Sequence, residues 1–395
     1  MQEADLDLGM AAYLRGDYSA AYREFRNGAA QGVAEAQHNL GVMHRDGQGV
    51  PQNDATAVRW FRRAADQGLA TAQTSLGWMY ANGRGVSQDD AEAVHWYRLA
   101  ADEGCAAAQY SLGVAYEEGR GVSQDDAEAV DWYLLAAGQG YAAAQYSLGV
   151  AYDYGRGVSQ DDAEAVDWYL LAADQGYAAA QYNLGLMYED GRGVSQDDAE
   201  AVHWYRLASD QGVVAAQNNL GLMYADGRGV PQDEAEAVRW YRLAAERGST
   251  DAQFNLGVMY ANGRGVPQDD VEAVRWYRLA ADGGDAAAQY NLGVRFGDGR
   301  GVRRDDGEAV RWYRRAAVQG HAPAQYNLGM MYARGRGVQK DDAETMRWHR
   351  LAAVQGHARA QYSLGVMYEN GWGVPQDRVE AMIWYRKAAE QGVRS

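Results

Sequence analysis

A chain of 395 residues has room for two or three ordinary domains, and a content of 47% hydrophobic and 23% charged residues rules out disorder and makes the 48 glycines the oddity. A net charge of −17 makes nucleic acid a poor partner, since phosphate binding needs a basic face that releases counterions. The single cysteine, Cys105, excludes a disulfide framework and a Cys-rich metal cluster, and no apolar run approaches the roughly 18 residues of a membrane-spanning helix.

In chain order, residues 1–32 come first. They begin Met1-Gln2-Glu3-Ala4-Asp5, neither basic nor apolar. The chain therefore reads as soluble, and as cytoplasmic unless an export signal has been removed before Gln2, in which case as periplasmic or secreted. Leu8-Gly9 and Ala21 predict a short helix pair around Gly16-Asp17-Tyr18, with Phe25 as its large core residue.

From residue 33 a longer unit repeats without drift. Leu-Gly recurs at Leu40, Leu76, Leu112, Leu148, Leu184, Leu220, Leu256, Leu292, Leu328 and Leu364, a step of 36 residues. Tryptophan keeps the same step from Trp60 to Trp384. In residues 177–212, Ala180, Leu184 and Tyr188 share one face of a first helix, A, with Met187 beside them. Gly185 on that helix points to a neighbour too close for a Cβ, because glycine there is less favourable than alanine by about 1 kcal/mol. Gly191 and Gly193 supply a turn with positive φ, and Asp197 with Glu200 predicts a reciprocal capping box at the start of a second helix, B. Ala201, Tyr205 and Ala208 form the inward stripe of helix B, with Trp204 as filler and Gln211-Gly212 closing the unit. Pairs this short cannot bury their apolar faces alone, so they stack into one core. The expected fold is all-α: a right-handed alpha-alpha superhelix (solenoid) of about eleven helix-turn-helix repeats. Residues 1–32 form its N-terminal cap, 33–392 ten tandem repeats and 393–395 a tail, in one continuous domain.

This set, Ala180, Leu184-Gly185, Tyr188, Gly191-Arg192-Gly193-Val194, Asp197, Ala201, Trp204-Tyr205, Ala208 and Gly212, resembles the Sel1-like repeat, a longer relative of the tetratricopeptide repeat. The loop in residues 1–32 is four residues shorter, the plain tetratricopeptide length. The resemblance implies a concave groove lined by the A helices, with the positions of residues 182, 186, 189 and 190 facing it. The first of these is an aromatic ladder of Tyr110, Tyr146, Tyr182, Phe254, Tyr290, Tyr326 and Tyr362, interrupted by Thr74 and Asn218. The last two bring Glu117, Glu118, Asp153, Tyr154, Glu189, Asp190 and Asp226. Residues 105–212 carry 18 acidic side chains against four arginines, while 285–320 carry five against seven basic ones. An acidic, tyrosine-lined groove suits a protein or peptide carrying Lys or Arg. The competing reading is that the tyrosines pack between adjacent helices and the acids are a solvated face.

Other signals are weaker. The Gly-Arg-Gly-Val loops lack the lysine and preceding strand of a phosphate loop, and Arg120, Arg156, Arg192 and Arg228 are expected to pair with nearby aspartates. Paired aspartates after the loops read as helix caps rather than calcium ligands. No catalytic motif is present, the seven histidines do not cluster, and no cofactor or metal is expected. Ile383 is apolar where other copies carry Arg, His or Asp, which points to self-association or a partner at the C-terminal end. The family implies a non-enzymatic scaffold or adaptor that assembles complexes. The alternative it implies is a bacterial protein that binds or slowly hydrolyses β-lactams, but such relatives look disulfide-stapled and this chain has one cysteine.

Overall fold

The computed structural model describes residues 2–393, and among the described residues it holds 22 helices and no strand. They fall into two compact units, one ending at Asp197 and the other beginning at Asp198. Within each unit, an A helix packs mainly on the B helix that follows it, and that B helix on the next A helix.

The copy at residues 142–176 shows how the sequence produces this. Helix A, Ala142–Tyr154, is stopped by Gly155 at φ 66°, a left-handed residue whose amide bonds back to the Ala151 carbonyl. Helix B, Asp162–Asp174, is capped by Asp161, whose carboxylate accepts from the amides of Ala163 and Glu164. The reciprocal half of the expected capping box is absent, because the cap residue's own amide is already bonded to the Tyr152 carbonyl at 3.0 Å. In other copies the glutamate serves the helix instead: Glu92 and Glu128 accept from the indole N–H of Trp96 and Trp132, at 3.0 and 3.1 Å.

Ala129, Tyr133 and Ala136 of the preceding copy form one buried cluster with Ala144 and Leu148, and Trp168 of helix B packs against it. Each buried leucine contributes roughly 1.5–3 kcal/mol. The leucine's neighbour has to be glycine. A Cβ on Gly149 would lie 2.4 Å from the Tyr169 ring, so the tyrosine of helix B lies directly against the backbone of helix A. The second loop glycine serves the step between copies, since a Cβ on Gly157 would meet the Asp126 carbonyl oxygen at 2.1 Å. In residues 1–32 the same plan holds with a shorter loop: Asp17 caps the helix Tyr18–Ala30, and Phe25, 1% exposed, covers Gly9.

Of the motif residues, Leu184, Ala201, Tyr205 and Ala208 are fully buried and Trp204 nearly so. Gly185 is buried, Tyr188 half-buried, and Gly191 and Gly193 sit at φ 66° and 67°.

A buried glutamine recurs in each of the ten A helices after the first. Gln145 donates to the Ala137 carbonyl at 3.3 Å and accepts from Gln175 at 2.6 Å. The same pattern joins Gln109 to Gln139 and Gln325 to Gln355. A buried amide left unpaired costs about 1–3 kcal/mol, so these bonds hold successive helices in register.

Candidate functional site

The aromatic ladder is half-buried. Tyr110, Tyr146, Tyr182, Phe254, Tyr290, Tyr326 and Tyr362 are each neither fully covered nor free. The geometry of the ring stacks explains this. Tyr146 lies 5.9 Å from Tyr169 of its own helix B and 5.0 Å from Tyr177 at the start of the next helix A. Tyr110 stands likewise between Tyr133 and Tyr141, Tyr290 between Tyr313 and His321, and Tyr326 between His349 and His357. Phe254 meets Tyr277, and Tyr362 meets Tyr385. Tyr110, Tyr146, Tyr290 and Tyr326 thus each tie three helices together while leaving part of their surface open. At the two interruptions, Thr74 approaches the half-buried Cys105 thiol at 3.5 Å and Asn218 is buried with Asn255 as donor.

The acids divide into two kinds. Glu117 accepts from the Tyr133 hydroxyl at 2.6 Å. Asp153, only 5% exposed, accepts from Tyr169 at 3.3 Å and from Arg192 at 2.7 Å. Burial, reinforced by these carboxylates, pushes the Tyr133 and Tyr169 hydroxyls well above their ordinary value, so they stay protonated donors. Glu117 and Asp153 therefore hold helices A and B together. One residue further on, the side chains point outward. Glu118 is half-exposed beside Arg120 at 2.6 Å, and Asp190 is more exposed still. Tyr154 is 65% exposed with the Arg156 guanidinium 5.3 Å above its ring. Glu189 is half-buried and Asp226 is exposed.

The loop arginines find acids, though not always aspartates. Arg228 binds Asp198 at 2.7 Å and Arg192 binds Asp153, but Arg120 pairs with Glu118 and Arg156 lies 3.8 Å from Glu117. Arg84, Arg264 and Arg336 reach back to the first residue of the preceding helix B, at Asp54, Glu234 and Asp306. At the end of the second unit, Val379, Met382 and Ile383 on the helix Arg378–Glu390 are exposed. Among the described residues no helix is long and apolar enough to cross a membrane.

Helix pairs in tandem, joined by glycine turns and in several copies by ring stacks, define an all-helical repeat fold of the solenoid class. The Sel1 repeat family model matches ten consecutive copies, from residues 34–69 to 358–393, and the chain belongs to that family. The chain is 39% identical to c5321, a protective antigen present in uropathogenic Escherichia coli strains, with 98% of this chain and 84% of that one covered and a TM-score of 0.88. It is 36% identical to a Sel1 repeat protein from Oxalobacter formigenes, over 78% of this chain and 89% of that one, with a TM-score of 0.62. Among curated proteins none matches the chain.

Proposed function

We propose that the chain is an interaction scaffold whose A helices in the first unit bind a basic segment of a partner protein. Membership of the Sel1 repeat family, commonly protein-interaction scaffolds, supports the class. The observation that carries the specific reading is the line of outward residues Glu118, Tyr154 and Asp190, one per copy at the 36-residue step, beside the half-open rings of Tyr110, Tyr146 and Tyr182. Carboxylates steer a Lys- or Arg-bearing segment, and the exposed Tyr154 ring offers contact area and a face for a cation. Phe254, Tyr290, Tyr326 and Tyr362 repeat the aromatic part of this arrangement in the second unit, and Asp226 its acidic part.

The test is binding of a lysine-rich peptide library, followed by titration of the selected peptide. Affinity that falls at least tenfold in Glu118→Lys with Tyr154→Ala, and that weakens with added salt, supports the reading. Selected peptides that bind both proteins equally overturn it. Tyr154 is the better probe than Tyr146, because removing Tyr146 also breaks a three-ring stack.

A further inference from the structure

Two pairs of B helices carry exposed side chains at the same repeat positions but with opposite charge. In the first unit the pair is Asp126–Gly138 and Asp162–Asp174, which together hold seven acidic residues and no basic one. Asp131 and Asp167 are exposed at one position of successive copies, with Leu134, Leu135 and Leu171 exposed beside them. These helices are neighbours, since Trp168 packs on the cluster that holds Ala129, Tyr133 and Ala136. In most other copies the residue at the place of Leu134 is an arginine that donates to a tyrosine hydroxyl of the next A helix, as Arg98 does to Tyr116 at 2.8 Å and Arg242 to Tyr260 at 2.7 Å. Leu134 gives up that bond and stays open to solvent. Exposed leucines that cluster in adjacent copies, rather than scatter singly, mark an interaction surface.

In the second unit the pair is Asp306–Val318 and Asp342–Val354, joined in the same way by Trp348 on the cluster of Ala309, Tyr313 and Ala316. Arg311 and Arg347 occupy the positions of Asp131 and Asp167. Their side chains stay 76% and 63% exposed although each pairs with the glutamate three residues earlier. Val318 and Val354 are exposed where most other copies carry an acid, and Leu351 is exposed beside them.

We propose that the chain associates with a second copy of itself, the strip of Asp131 and Asp167 on one molecule docking on the strip of Arg311 and Arg347 on the other. The exposed leucines of the first strip and the valines and leucine of the second are buried between them. A second copy is the favoured occupant because it supplies opposite charge and apolar area, and supplies them at the right spacing. Both strips are the same position in two consecutive copies of one repeat, so the step between the two carboxylates matches the step between the two guanidiniums. Exposed ion pairs add little affinity one by one, so the charges select partner and register while the apolar side chains supply most of the attraction. Glu118, Tyr154 and Asp190 lie on the A helices, and the proposal does not rest on their binding a peptide.

The experiment is sedimentation equilibrium of the full chain over a concentration series, at low and high salt. It includes two charge-reversed variants, Asp131→Lys with Asp167→Lys, and Arg311→Glu with Arg347→Glu. Neither is foreign to the repeat, since other copies carry Arg239 and Arg275 or Asp131 and Asp167 at this position, and matching circular dichroism melts verify that both fold. The expected result is a mass that rises above the monomer's with concentration, less so at high salt because ions screen exposed charges. Each variant alone should associate on the order of tenfold more weakly, because like charges then face each other. An equimolar mixture of the two should regain association, because each strip again meets its opposite. A monomer at every concentration overturns the proposal and leaves the acidic strip to a basic helix of another protein. Variants that associate as tightly as the unmodified chain, or a mixture that associates no better than either variant alone, also overturn it.

Discussion

The stretch 106–190 and the stretch 286–334 fill the same interior positions with opposite chemistry. In the first, small Ala115 and Ala151 stand beside Glu117 and Asp153, carboxylates that accept from the buried tyrosines. In the second, Arg295 takes a position that Met259 and Met331 hold in neighbouring copies, and the acid positions become Gly297 and Ala333. Arg295 is 8% exposed and ion-paired with Asp270, whose own side chain is also approached by Arg300 at 3.3 Å. The contrast teaches that the repeat tolerates buried charge of either sign, provided that a partner lies within one copy's reach.

Four tests break or sharpen that contrast. The largest effect is expected from Asp270→Ala, which leaves the buried Arg295 guanidinium without its carboxylate. Removal of one partner of a buried pair costs about 3 kcal/mol, and denaturant unfolding of the second unit should show a loss near that size. Arg295→Met, in contrast, should be neutral or mildly stabilising. A loss below about 1 kcal/mol in Asp270→Ala would mean that the pair is solvated.

The second concerns pH. His349 is held near 4 in the folded chain against an ordinary 6.5, so the unfolded chain binds its proton first. The associated stability is fully present above pH 6.5 and is lost as pH falls toward 4. Relative to His349→Tyr, the unmodified chain should lose about 3 kcal/mol between pH 7 and pH 4. His38, also pushed down to about 4 by burial, contributes to both proteins and cancels in the comparison. Parallel pH curves for the two proteins would contradict this account.

The third is Asp153→Ala. Arg192 is 37% exposed and can turn to water, so the expected loss is about 1 kcal/mol, well under that of Asp270→Ala. A thermal melt distinguishes the two. The smallest stability effect belongs to Glu118→Ala and Tyr154→Ala, each within about 0.5 kcal/mol because both side chains are largely exposed. A larger loss at either would assign them to packing and weaken the reading of a binding surface.

Much of this architecture was legible in the residues. The 36-residue step, the Leu-Gly pair and the Gly-x-Gly turn each answer a local demand, a buried face, a close approach or a positive φ, and local demands are written directly in residue type. The candidate site was legible only in outline. Glu117 and Glu118 are neighbours of the same chemistry, yet one bonds to Tyr133 and the other faces solvent, because each step along a helix turns the side chain by about 100°. The spacing of the capping glutamates predicts bonds to backbone, whereas Glu92 and Glu128 bond to an indole one turn on, a competition between two nearby donors. The exposed edge of each ladder ring depends on residues some thirty positions away, such as Tyr177 beside Tyr146.

The sequence by itself determined the helix pairs, their number and their family, since periodicity and turn chemistry act within a few residues. Only the tertiary structure decided which carboxylates are interior and which face outward, and why the glutamines recur. Those outcomes depend on side chains brought together across successive copies, and the volume left between them is set by all the neighbours at once.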